Sequence, residues 1–134
     1  MATLDRKQAH LAMIQTIVRR MALGALLLEG WSLLVVAALL TAAHDPQRAR
    51  FGWLALFMAI AFWLLDAHLL RQKLLFRSLH DHVRAQPEAQ IEYTLDTSPV
   101  DREAHAWRSV FFMRRLVLFH GGLILAISVV RSLS

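Results

Sequence analysis

MALGALLLEGWSLLVVAALLTAA, residues 21–43, contains one charged side chain, Glu29, in twenty-three positions. An α-helix rises about 1.5 Å per residue, so this run is roughly 34 Å long and matches the hydrocarbon core of a bilayer. Two more such runs follow. Phe51 to Leu70 is interrupted by Asp66 and His68, and Val110 to Val130 by Arg114, Arg115 and His120. A water-soluble bundle shows narrow apolar stripes between charged faces, whereas these runs are apolar all round. The expected fold class is an all-α membrane protein with three transmembrane helices, an N-terminal amphipathic helix and helical cytoplasmic extensions of spans two and three.

The 134 residues, 57% of them hydrophobic, leave room for the spans and one modest cytoplasmic segment, hence a single membrane domain over 1–134. Disulfides, thiol catalysis and thiolate metal sites are excluded because the chain has no cysteine. Its net charge of +5 clusters beside the span ends. That pattern points to the lipid bilayer as partner, not to nucleic acid. Thr41-Ala42-Ala43 imitates a signal-peptide cleavage site, but signal h-regions are about 7–15 residues long and this run far exceeds them.

Twelve of the fifteen arginines and lysines lie before span one or between span two and the mouth of span three. Only Arg48, Arg50 and Arg131 lie on the other side. The positive-inside rule then predicts a cytoplasmic N-terminus and an external C-terminus.

Within residues 1–20, Leu4, Leu11, Ile14, Val18 and Met21 recur at helical spacing, with Arg6, Lys7, His10 and Arg19 as the wet face. Thr3 is the expected N-cap. This helix either runs on into span one (21–43) or lies flat on the membrane. His44-Asp45-Pro46 ends span one, and the short turn to Phe51 makes spans one and two antiparallel neighbours. Span two (51–70) should continue as a helix to 84, because Leu75, Leu79 and Val83 keep one face and Pro87 ends it. A cytoplasmic loop, 85–98, contains Ile91 to Asp96, whose alternation predicts a short extended strand without a partner in the chain. Ser98 as N-cap, Pro99 and Asp101 predict a second long helix over 99–133 that contains span three.

An ionisable side chain at a span centre costs roughly 2.5–3.5 kcal/mol on insertion scales, so these groups are the candidate functional residues. Glu29, Asp66, Arg115 and His120 form an expected intramembrane polar network. Helical rise sets Glu29 about 12 Å and Asp66 about 7 Å inside the cytoplasmic boundary. Asp66 shares its face with the packing residues Ala55 and Ala59, and Arg115 aligns with Gly122 and Ala126, so the preferred pair is Arg115–Asp66. His120 lies about 140° around the helix from Arg115 and must face another neighbour: Glu29, a second subunit or a lumen. Glu29 itself shares a face with Ala22, Ala25, Ser32 and Val36. Trp53 and Trp107 are the expected interface anchors. His80-Asp81-His82 with His105 suggests a metal site, but two rings about 200° apart on a helix cannot chelate one ion. No metal, cofactor or enzymatic constellation is expected.

Leu28-Glu29-Gly30-Trp31-Ser32, with Phe62-Trp63-Leu64-Leu65-Asp66-Ala67 leading into Leu70 to Leu79, resembles a family of small, functionally uncharacterised bacterial three-span inner-membrane proteins. The resemblance implies a bacterial inner-membrane location. In that family position 29 is usually lysine, which would pair with the acid at 66; Glu29 breaks this pattern. More loosely, the layout is similar to SLATT-type membrane proteins, proposed pore-forming effectors of phage defence. That likeness is architectural only and does not establish function. The leading expectation, a homo-oligomeric pore-forming or membrane-perturbing protein, rests on the spans themselves: a lone chain would leave Glu29 or His120 facing lipid, and closure of an oligomer would hide them. The alternative expectation is a membrane anchor or scaffold that docks a cytoplasmic protein partner through residues 71–109.

Overall fold

The computed structural model describes residues 1–45, 48–100 and 102–133, together with all their side chains but that of Thr3. Helix α1 spans Ala2–Ala43 and α2 spans Arg50–Ala85. A single 3-10 turn, Glu88–Gln90, precedes an irregular segment. The short helix α3, Trp107–Phe111, and then α4, Arg114–Leu133, complete the chain. Three of these helices, α1, α2 and α4, are long and apolar enough to cross a membrane. Among the described residues there is no strand.

No residue between Arg20 and Met21 breaks the helix, and α1 is continuous through the junction. The N-terminal segment therefore does not lie apart from span one. The helix begins at Ala2, so Thr3 is inside it and not its N-cap. Of the turn that ends α1, Pro46 lies outside the described residues. α1 and α2 form an antiparallel hairpin. Gly24 faces Leu69, Gln15 meets His80, and Lys7 reaches the end of α2. There the Lys7 ammonium donates to the carbonyls of Arg84 and Gln86 at 3.2 and 2.9 Å. A cation thus satisfies carbonyls that the last helical turn leaves free.

Two apolar cores hold the hairpin. One joins Val36 of α1, Ala55 and Ala59 of α2 and Ile127 of α4, where the alanines allow close approach of the helices. The other lies beyond the apolar windows and joins Ile14, Leu79, Val83 and Ile91, with Leu11, Phe76 and Val100 against it. The extension of α2 thus buries its apolar stripe against the first turns of α1, forming a small headpiece. The amphipathic expectation needs two corrections here. Leu4 is exposed, and His10, expected to be wet, is buried edge-on against Tyr93.

The predicted strand at 91–96 is absent. Only Ile91 of its apolar positions is buried, while Tyr93 and Leu95 are exposed. A lone strand leaves its backbone groups unpaired, and this segment instead curls through a local bond from Thr94 N–H to the Glu92 carbonyl.

The predicted helix over 99–133 also fails in its first part. The Ser98 hydroxyl donates to Asp96 and so does not cap a helix; Asp101 lies outside the described residues. A turn closes from Val100 N–H to the Thr97 carbonyl, and further turns at His105 and Ala106 follow. The chain breaks again at Met113, with φ −59° and ψ 137°, although no Gly or Pro is present. Contacts with α2 account for the break. The Trp63 indole N–H donates to the Phe111 carbonyl at 3.2 Å, and its ring stacks on Phe111.

Candidate functional site: two polar pairs between three helices

The four ionisable residues singled out within the spans come together as two pairs, but not in the expected combination. Asp66 and His120 meet at 3.0 Å, the imidazole Nε2–H donating to the carboxylate Oδ2. Both are sealed from the surface, at 1% and 0% exposure. Arg115 instead pairs with Glu29, its guanidinium donating to Oε1 at 2.8 Å. The expected Arg115–Asp66 pair is not formed, and His120 does not meet Glu29.

Helix geometry explains the exchange. Arg115 and His120 point in different directions from α4, so Arg115 reaches α1 and His120 reaches α2. Leu116, His120 and Ile127, spaced four and seven residues apart, form the buried face of α4. A π-helical turn at Val117–Gly121 carries His120. Gly122 and Ala126, expected to pack beside Arg115, are exposed, and a Cβ added at Gly122 would meet no atom within 4 Å. The expectation failed because it aligned residues on the arginine, whereas the histidine marks the inward face.

On α2, Ala55, Ala59, Asp66 and Ala67 are buried, so Asp66 lies among small residues that bring the helices close. On α1, Ala25, Ser32 and Val36 are buried and Ala22 is half-buried. The Ser32 hydroxyl is turned back to the Glu29 carbonyl at 2.7 Å and is spent within its own helix.

Trp63 links the pairs to the rest of the fold. Its ring is nearly parallel to both Phe111 and His120, with centroids 4.5 and 5.9 Å away and interplanar angles of 9° in each case. It therefore fixes the imidazole plane and anchors α3. The sequence signal for Trp63 is its position three residues before Asp66, on the same helix face. His120 Nδ1 is buried without a hydrogen-bond partner among the described residues.

The two pairs differ electrostatically. Arg115 is 51% exposed and Glu29 14%, an ion pair at the bundle edge. Asp66–His120 is internal, where water cannot screen it. Removing either partner would leave the other buried and unpaired.

The expected anchors behave differently from one another. Trp53 is exposed beneath the Arg131 guanidinium, 3.7 Å from its ring centroid. Trp107 is exposed too, but stacks on His68 and lies near Arg71, whose Nε donates to the His105 carbonyl at 2.9 Å. The other histidines are engaged separately: His80 with Gln15, His82 with Gln86 and His105 with Ser78.

Comparison with protein-family models, with curated proteins and with solved structures finds no match to this chain.

Proposed function

We propose that this protein is a multi-pass protein of a bacterial inner membrane, N-terminus cytoplasmic and C-terminus external, that serves as an anchor displaying its headpiece to a cytoplasmic protein partner. Three apolar helices support the membrane location. The arginine and lysine imbalance supports the orientation. The resemblance of residues 28–84 supports the bacterial setting.

One observation carries the anchor reading above the pore reading: both polar pairs close within one chain. The pore expectation rests on a lone chain leaving Glu29 or His120 facing lipid. With both paired internally, that demand for a polar lumen disappears. The headpiece presents Glu92, Tyr93, Thr94 and Leu95 on its surface, held by buried Ile91. These exposed residues are the proposed contact with the partner. A second copy is proposed to pack on the open Gly122–Ala126 face, giving a homo-oligomer without a central channel.

Two measurements test the anchor reading together. Purified protein in liposomes should pass no ions or small dyes. In cells, site-specific crosslinking from position 93 should trap one defined partner, and Leu95→Glu should abolish that product while leaving the protein in the membrane. Flux that Glu29→Gln or His120→Ala abolishes would instead establish the pore.

A further inference from the structure

The hairpin brings two arginines of like charge to one groove. Between α1 and α2, just outside the apolar windows, a cavity of about 360 Å3 is lined by Gln15, Val18, Arg19, Arg77, His80 and Asp81. Arg19 and Arg77 are both exposed, and neither guanidinium makes an ion pair or hydrogen bond with any described residue. Asp81, the one acid of this lining, makes no ion pair with either arginine. Its side chain is 71% exposed, and its Oδ1 accepts the His80 Nδ1–H at 3.4 Å. The other His80 ring nitrogen accepts from the Gln15 amide at 3.1 Å.

Two cationic side chains lining one cleft repel each other, and the hairpin places both on it. An anion between them would reverse the sign of that term. A guanidinium offers a planar fork of donors matched to phosphate oxygens. Arg19 precedes Met21 by two residues, and Arg77 follows Leu70 by seven, so both sit at the level of lipid phosphates if the apolar windows lie in hydrocarbon. We propose that this groove is a phosphate-binding site, with one phosphate group held between the Arg19 and Arg77 guanidiniums. The phosphate belongs either to an anionic phospholipid or to a soluble phosphate compound.

Thermal unfolding of the full chain in neutral detergent micelles tests this in two arms. One adds phosphatidylglycerol against phosphatidylcholine; the other adds inorganic pyrophosphate against chloride at equal ionic strength. A bound anion should raise the melting temperature of the wild type by several degrees. Arg19→Gln with Arg77→Gln should abolish the gain. Without added anion this variant should melt no lower than the wild type, because a repulsion has been removed. Arg20→Gln with Arg114→Gln, equal in charge and outside the groove, should retain the gain. A gain with phosphatidylglycerol alone identifies a lipid site; a gain with pyrophosphate as well identifies a site open to soluble phosphates. Should the glutamine pair fail to fold, Arg19→Lys with Arg77→Lys keeps the charge but loses the fork, and native mass spectrometry should then show several-fold less retained phosphatidylglycerol or pyrophosphate. No gain in either arm, or equal loss in the control pair, overturns the proposal.

Discussion

At the scale of single residues, the bundle depends on which partner each charge finds. The imidazole of His120 holds Asp66 in the interior at 3.0 Å. Asp66→Ala should therefore destabilise the bundle by about 1–3 kcal/mol, the usual cost of an unsatisfied buried polar group. His120→Ala should cost at least as much, because it strands a carboxylate. The double variant should cost clearly less than the two single costs combined, since the stranded partner is gone as well. Unfolding equilibria in mixed micelles measure all three. Additive losses would mean that the two side chains do not depend on each other.

Glu29 gives a second prediction at this scale, because its partner is a cation at the bundle edge and not the buried acid of span two. Here Glu29 accepts from Arg115 at 2.8 Å, while the acid at 66 is already held by His120. Glu29→Lys should therefore set two cations against each other and lower stability, by about 1 kcal/mol if the pair behaves as partly exposed. Adding Arg115→Glu should restore the loss with the charges reversed. Helical circular dichroism melts of the two variants decide the matter.

At the scale of elements, legibility followed the length of the local pattern. The extension of α2 was readable because Leu75, Leu79 and Val83 repeat on one face for several turns, and all three are buried. The break between α3 and α4 was not readable, since Phe112 and Met113 contain no breaker. It depends on Trp63, nearly fifty residues away, taking the Phe111 carbonyl. The four paired residues were legible as a set but not in their partners: helix spacing gives the angle between Arg115 and His120, and tertiary packing gives the rotation of α4. Ser98 failed as a cap for a local reason. Its hydroxyl and its backbone N–H both donate to Asp96. The side-chain bond from Ser98, followed by its backbone bond, holds the exposed Asp96 carboxyl below the ordinary aspartate value of 3.8. A depressed folded-state value means that this turn is favoured above the ordinary value and loses its support as pH falls through the lower, folded one. The Ser98 amide resonance should accordingly titrate with a midpoint below 3.8. Asp96→Asn should remove that titration and leave α2 intact.

At the scale of the whole molecule, the three long helices pair Glu29, Asp66, Arg115 and His120 with one another and turn many apolar side chains outward. Leu118 and Leu125 of α4 are exposed, and Gly122 and Ala126 lie open beside them. A small pair four residues apart lets a second helix approach closely, and in lipid such packing replaces the hydrophobic drive that is missing there. Gly122 is a favourable position for separating assembly from folding, because a Cβ there meets nothing within 4 Å inside the chain. Gly122→Leu should therefore change the unfolding free energy of the monomer by no more than about 0.5 kcal/mol, the usual range for surface changes. The same substitution should reduce or abolish the oligomer counted by single-molecule photobleaching in nanodiscs or native membranes. Gly52→Ala is the matched comparison: its added Cβ would crowd the Arg131 side chain at 3.0 Å, on a different face of the bundle, and should leave subunit number unchanged. An unaltered subunit count in Gly122→Leu would mean that copies meet elsewhere or not at all, and the Gly122–Ala126 face would then be a lipid-facing surface.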